Sequence, residues 1–358
     1  MKVAILQPEV PHYREEFFSS LSNQVEKLDV YIYNSPEAAK KQGFDIKEND
    51  SVIYIKNKKI GGFLWYSIRN LFGKKYDTLV LMLHIAHLTT WLLLLTKRIH
   101  RRKIILWGQG ISVKRYLAEE KNPDWKLKMM IKFSDGVWLY TEKEYNQWKE
   151  IFPKKKIVAL CNTFSGVDKV LSYEPLETKD VLKNKYNIKE PIVFIYCARF
   201  ESDYRRTDLL IDTIKRLDSD KYAYIIIGEG KNKPDFSRFK NVYDFGAIYD
   251  VTKKHELFTM ADVYYQPGWV GLSVVEAMAY GKPILTFKRS ECVLQCVEYS
   301  YLIDNYNSVI VNSVEELEKK VQSMSTGEIV RLGNNARQYV RTKLTMSNMV
   351  DNALFLFK

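Results

Sequence analysis

The sequence predicts an α/β chain of two Rossmann-like domains in series, facing each other across a cleft. Three observations lead there. Short β-branched or apolar runs alternate with helix-like segments through the first half. A looser polar stretch, "NTFSGVDKVLSYEPLETKD" (Asn162–Asp180), interrupts them, and the same alternation then begins again. Alternation of this kind argues for parallel sheets with helices on both faces, and 358 residues suit two such domains better than one.

In chain order, the first-half strands are expected at Val3–Gln7, Leu28–Asn34, Val52–Ile55, Thr78–Met82, Lys103–Trp107, Gly136–Tyr140 and Lys156–Leu160. Between them, "FLWYSIRNLF" and "DWKLKMMIKF" carry apolar residues at helical spacing. The stretch Asn162–Asp180 has no clear periodicity and holds Ser, Gly and Pro, so it reads as the interdomain linker. Beyond it, strands are expected at Ile192–Ala198, Tyr222–Gly228, Asn241–Gly246, Asp262–Gln266 and Pro283–Phe287, with helices at Thr207–Leu217, Val251–Met260 and Ser273–Tyr280. Two amphipathic helices, "VEELEKKVQSM" and "EIVRLGNNARQYVRTKL", lie near the end, and a last one spans about 345–358. The domains are thus expected at 1–165, with helix 345–358 packing back onto it, and at 175–344.

Composition excludes several classes. With 46% hydrophobic residues the chain can bury real cores. The opening "MKVAIL" reads as a strand, not a signal peptide. The apolar run Leu79–Leu95 is interrupted by His84, His87, Thr89 and Thr90, so it reads as a strand followed by a buried helix. Cys161, Cys197, Cys292 and Cys296 lack zinc-ligand spacing and read as reduced, mostly buried thiols of a cytoplasmic protein. The formal charge is +12, and it is concentrated: Lys97–Lys132 carries eleven Lys/Arg against Glu119, Glu120 and Asp124, a net +8 over 36 residues. A solvated face, an anionic membrane surface or a phosphate-bearing substrate fit this stretch. No nucleic-acid motif accompanies it, so nucleic acid is not expected as a partner.

In open α/β sheets ligands bind beyond the carboxyl ends of the strands, so the loops there carry the chemistry. After Ile192–Ala198 comes "RFESDYRRTDLL": Arg199 leaves the strand, and Arg205 and Arg206 precede a helix. Guanidinium forks and a helix N-terminus both suit phosphate, while pairing with Glu201, Asp203 or Asp208 would make them plain surface arginines. "GEGK" offers Gly228 and Gly230, and "GAIYD" offers Gly246, Ala247 and Ile248 to a nucleotide base. In "PGWVGLSVVEAMAYGKP", Gly268 and Gly271 allow a tight turn before a helix. Glu276 there fits two roles: a capping box with Ser273, or a clamp on vicinal ribose hydroxyls.

Taken together these segments resemble the retaining glycosyltransferases of family 4, which have the GT-B fold. "CARFESDYRRTDLLI", "IIIGEG", "FGAIYDVTKKHELFTMADVYYQP", "GLSVVEAMAYGKPIL" and "VEYSYLIDNYNSVIV" follow in the family's order. The resemblance implies that Arg199 and Arg205 bind the donor diphosphate and stabilise the leaving group. It implies that Glu276 holds the ribose and that backbone around Gly271, Leu272 and Ser273 meets the phosphate or the transferred sugar. The family's first Glu falls at Gly268, which leaves the sugar contact in question.

In the first half, His12, Tyr13 and Arg14 in "PEVPHYREEFF" resemble an acceptor-side loop, although Pro8 and Pro11 would equally shape a turn. In "ILWGQG" the position where relatives carry a His is Gln109, which does not titrate. No general base is evident there, which suits retention with the departing phosphate taking the acceptor proton. His84 and His87 read as packing residues. "DSD" at Asp218–Asp220 reads as a solvated turn, so no metal is expected and the arginines would counter the diphosphate. The expectation is therefore a cytoplasmic, peripherally membrane-associated, metal-independent retaining glycosyltransferase. It would move a sugar from a nucleotide diphosphate sugar to a saccharide acceptor, lipid-linked, in surface polysaccharide or lipopolysaccharide synthesis, and needs no cofactor. An epimerase or hydrolase of the same fold, or a non-catalytic nucleotide-sugar-binding subunit, are the alternatives. A dinucleotide oxidoreductase fits poorly, since no G-x-G-x-x-G follows the first strand.

Overall fold

The computed structural model describes residues 1–34, 52–67, 69, 71 and 76–358. The chain divides into two compact units, Met1–Gly166 with Met346–Lys358, and Val167–Thr345.

The first unit contains β1 (Lys2–Gln7), β2 (Lys27–Ile32), β3 (Val52–Tyr54), β4 (Asn57–Ile60), β5 (Phe63–Tyr66), β6 (Thr78–Met82), β7 (Lys103–Gly108), β8 (Gly136–Leu139) and β9 (Lys156–Ala159). Seven of them form one sheet in the order β3-β2-β1-β6-β7-β8-β9. Every pairing in it is parallel, and these are the seven strands expected from the first half. Strands covered on both faces need apolar side chains throughout, which is why Ile104–Gly108 and Gly136–Leu139 are buried without alternation. The run Leu79–Leu95 resolves into β6 and the helix Leu88–Leu95. Among the described residues no helix is long and apolar enough to cross a membrane.

One expectation fails here. "FLWYSIRNLF" begins as β5, paired antiparallel with β4, rather than as helix. Gly61-Gly62 closes this hairpin, with Gly61 at φ 59, and β5 alternates exposed and buried residues. Part of the remaining segment lies outside the described residues.

The second unit contains β10 (Ile192–Cys197), β11 (Tyr222–Ile227), β12 (Val242–Asp244), β13 (Val263–Tyr265), β14 (Ile284–Phe287) and β15 (Ser308–Val311), in the order β12-β11-β10-β13-β14-β15. All its pairings are parallel. β15 is absent from the sequence reading, because "SVIV" is short and lies behind an aromatic, irregular stretch. The helix Thr207–Arg216 buries Leu210, Thr213 and Ile214, one stripe at helical spacing, against a core that includes Ile226 and Leu317. The helix Thr326–Lys343 comes so close to the turn at Gly281 that a Cβ on Gly333 would sit 2.2 Å from the Gly281 carbonyl.

The stretch Asn162–Asp180, where the chain passes from the first unit to the second, is not loose. It holds the helix Val167–Leu171, whose Val167, Val170 and Leu171 are buried, and Arg337 Nη2 donates to the Leu171 carbonyl at 2.7 Å. The final helix, Met346–Leu354, belongs to the first unit: Arg14 Nη1 lies 3.6 Å from Met349 Sδ, and the Trp138 and Phe357 rings are 5.3 Å apart.

Candidate functional site

In the second sheet the strand order reverses between β10 and β13, since β10 pairs with both β11 and β13. Connections from these two strands leave in opposite directions, and in open α/β sheets ligands bind beyond the carboxyl ends of such a pair. The loops there are stitched together by backbone. Phe200 N donates to the Glu229 carbonyl at 2.9 Å, and Gly228 N to the Gly246 carbonyl at 2.8 Å. Arg205 Nη1 donates to the Trp269 carbonyl at 2.9 Å, joining the loop after β10 to the loop after β13. Arg199 is exposed, two residues beyond β10. Arg206, half-buried, pairs with Asp208 at 2.6 Å and donates from Nη1 to the Cys292 carbonyl at 2.9 Å.

The glycines serve this stitching. A Cβ on Gly228 would meet the Ala198 carbonyl at 2.1 Å, so its φ of 143 is what lets the loops after β10 and β11 touch. The loop after β13 is held from within by two fully buried amides. Gln266 Nε2 donates to the carbonyls of Gly268 (3.1 Å) and Trp269 (2.8 Å), while its Oε1 accepts from Ser273 Oγ and the Tyr264 hydroxyl, each at 2.8 Å. Gln295 Oε1 accepts from Val270 N at 2.8 Å, and its Nε2 donates to the Phe287 carbonyl at 2.9 Å. Neither glutamine stands out in the sequence, because an amide's value here comes from having backbone groups on several sides.

Behind this loop the helix Leu272–Ala279 starts at Gly271, with no side chain capping it. Ser273 is turned to Gln266, so the Ser273–Glu276 capping box does not form. Glu276 instead faces Lys254 in the first turn of the helix Val251–Met260: Nζ is 2.7 Å from Oε1 and from Oε2. Burial pulls the Lys254 pKa down, yet the facing carboxylate outweighs it and the ammonium is held above its ordinary range. Lys254 went unseen in "DVTKKHELF", where nothing distinguishes it from its neighbour Lys253. Ile248 is half-buried in the loop after β12. The structure thus brings Arg205, Gly268 and Gly271 onto two adjoining loops, and Leu272, Ser273 and Glu276 onto the helix that follows.

His12, Tyr13, Arg14 and Gln109 lie in the first unit. His12–Arg14 is a single 3-10 turn beyond β1, with His12 exposed and Arg14 only 6% exposed. The Arg14 guanidinium sits over Trp107 (5.3 Å) and Tyr140 (5.5 Å), so it is used in packing. Gln109 is half-buried directly after β7, between Gly108, which fits against Leu83, and Gly110, whose carbonyl accepts from Trp148 Nε1 at 2.9 Å. His87 is buried and packs edge-on against Tyr33 and Tyr66, as packing residues do, while exposed His84 lies tilted beside it with ring centroids 4.9 Å apart. Of the cysteines Cys161 is buried, Cys197 and Cys296 are intermediate and Cys292 is exposed. Burial pushes the Cys197 thiol up to about 11 and the Cys296 thiol up to about 12.

Residues 178–342 match the family "Glycosyl transferases group 1". Among curated proteins none matches. Among solved structures, Anabaena Alr3699/HepE in complex with UDP is similar over 100% of this chain and 99% of its own, at 13% identity and a TM-score of 0.66. A glycosyltransferase from Rickettsia africae ESF-5 is similar over 100% and 97%, at 13% identity and a TM-score of 0.66. WaaG, a glycosyltransferase involved in lipopolysaccharide biosynthesis, is similar over 99% and 99%, at 14% identity and a TM-score of 0.61. These likenesses show the GT-B fold, with its two Rossmann-like units. Within that fold residues 178–342 are a group 1 glycosyltransferase domain, and the protein is a glycosyltransferase.

Proposed function

We propose that the chain is a retaining glycosyltransferase that moves a sugar from a nucleotide diphosphate sugar to a saccharide acceptor, lipid-linked, in surface polysaccharide or lipopolysaccharide synthesis. The observation that carries this is the grouping of Arg205, the uncapped start of Leu272–Ala279 and the Glu276–Lys254 pair around the reversal point of the second sheet. Guanidinium and helix N–H groups oppose the charge that grows on a departing diphosphate, and this counts most where water is excluded. Arg199 and Arg205 would take the diphosphate, Glu276 the ribose hydroxyls with Lys254 sharing its other contacts, and Ile248 the base. Gln109 carries no titratable group, so the leaving phosphate itself would accept the proton of the attacking hydroxyl. The arginines replace a divalent cation in this scheme. HepE was solved with UDP and with UDP-glucose, which makes these the first nucleotides to try. Thermal-shift screening of UDP-, GDP- and CDP-sugars, followed by product analysis with and without acceptor, tests the reading. Free sugar or an epimerised donor without transfer would favour a hydrolase or epimerase, and donor binding without turnover a binding subunit.

We assign the acceptor to the first unit, beyond β1 and β7, where His12, Tyr13 and Gln109 lie. The basic stretch does not belong with them. Lys97, Arg98, Arg101, Arg102 and Lys103 line one groove with Lys156, and Lys132 joins Lys154 and Lys155 beside it. All of these precede or begin β7, β8 or β9, at the amino ends of the strands, whereas Arg115 is paired with Glu119 and Asp124. Leu95 and Ile99, close in the chain to Lys97 and Arg98, are exposed. This placement favours an anionic membrane surface over the acceptor's pyrophosphate. Co-sedimentation with phosphatidylglycerol vesicles at low salt, lost in Arg98→Glu/Arg101→Glu and absent with phosphatidylcholine, is the expected result. Equal binding by the variant would overturn it.

A further inference from the structure

Trp269 is the one bulky side chain in the loop after β13 held at positive φ, at 54°. That conformation costs a large residue roughly 1–3 kcal/mol and persists only where the surroundings over-determine it. Here they do. Trp269 N donates to the Leu294 carbonyl at 2.8 Å, and its own carbonyl accepts from Arg205 Nη1 (2.9 Å) and Gln266 Nε2 (2.8 Å). The indole is partly exposed and stacks on Tyr204, with centroids 4.8 Å apart and planes 21° apart. Tyr204 comes from the loop after β10, so the stack spans the two loops that flank the reversal point of the sheet.

The same contact closes position 268 to any side chain. A Cβ on Gly268 would lie 2.5 Å from the Tyr204 carbonyl and 2.9 Å from Arg206 Cγ. An acid at 268 therefore cannot reach a sugar without moving the Tyr204 backbone. We propose that the Tyr204–Trp269 stack is the aromatic wall against which the transferred glycosyl group lies, in place of an acidic contact at 268. Aromatic faces suit the C–H-rich face of a pyranose, and a wall of this kind reads ring shape through packing rather than through a charged hydrogen bond. Arg205 links the wall to the diphosphate, since one guanidinium holds the Trp269 carbonyl and borders the phosphate site. This inference rests on the donor-site reading above.

The test compares binding of UDP with UDP-glucose, and of GDP with GDP-mannose, by calorimetry in the wild type, Trp269→Ala, Trp269→Phe and Tyr204→Ala. In the wild type the sugar nucleotide binds more tightly than the bare nucleotide. In Trp269→Ala that advantage falls by about 10-fold, the scale of one aromatic contact, while the nucleotide diphosphate binds within about two-fold of wild type. Trp269→Phe keeps most of it. Tyr204→Ala leaves the backbone bonds of Trp269 in place and shows the same split, should Trp269→Ala fail to fold. Equal weakening of both ligands, or no sugar-dependent advantage in the wild type, would overturn the wall. A wild type that binds none of the four would sink the donor-site reading beneath it.

Discussion

Lys254 Nζ and Glu276 Oε1 are 2.7 Å apart, joining the helix Val251–Met260 to the helix Leu272–Ala279 in the second unit. Removing the carboxylate leaves an ammonium that is only a quarter exposed without its partner. Glu276→Ala is expected to lower stability by about 1–3 kcal/mol, less than for a wholly buried pair because water still reaches both groups. The double variant Lys254→Ala/Glu276→Ala should recover part of that loss in urea unfolding. A single variant as stable as wild type would show the pair to be incidental.

Arg205 is expected to act mainly on the leaving group. Arg205→Ala should lower kcat/KM by about 10²–10³-fold, the scale of one charged donor to a developing anion. Arg205→Lys should restore only part of it, since an ammonium cannot hold the Trp269 carbonyl and a phosphate with a planar fork. Steady-state kinetics with the donor found by screening decides this. An Arg205→Ala enzyme with unchanged kcat/KM would remove the arginine from the mechanism.

Gly268→Ala should destabilise although it adds only a methyl group. The nearest atom to that methyl is backbone, the Tyr204 carbonyl at 2.5 Å, so the strain cannot be relieved by a side-chain rotation. A loss of about 1–3 kcal/mol is the usual cost of such overpacking. A melting temperature equal to wild type would mean that the two loops yield easily.

His87 should make the protein acid-sensitive. Burial, with the neighbouring His84 second, depresses its pKa to about 4. Tyr33 and Tyr66 face it as uncharged rings. The unfolded chain takes up the proton near pH 6.5, so the stability owed to neutral His87 is present above that pH. It is lost progressively as pH falls to about 4, by about 3 kcal/mol in total. His87→Gln should show a shallower fall in unfolding free energy over that window. An identical slope in the variant would assign the acid sensitivity to other groups.

The parallel sheets were readable because strands buried on both faces must be written as unbroken apolar runs, as in Ile104–Trp107 and Tyr222–Ile227. Where that rule does not hold, reading failed. Phe63–Tyr66 is an amphipathic hairpin strand, and its aromatic run passes for helix unless Gly61-Gly62 is given its full weight. Val167–Leu171 is too short to display a helical period, and its burial comes from neighbours such as Arg337 far along the chain. The candidate arginines and glycines were visible because they follow strands. Gln266, Gln295, Lys254 and the Tyr204–Trp269 stack were not, because each depends on a partner from another segment.

By itself the sequence determined the layered α/β architecture and which loops follow the carboxyl ends of strands, since both are set by local periodicity and turn chemistry. Only the tertiary structure decided that β13 lies beside β10. That adjacency puts Trp269 on Tyr204, closes position 268 and leaves the reversal point lined by Arg205. Strand order is settled by packing between segments distant along the chain, and no local pattern of residues encodes it.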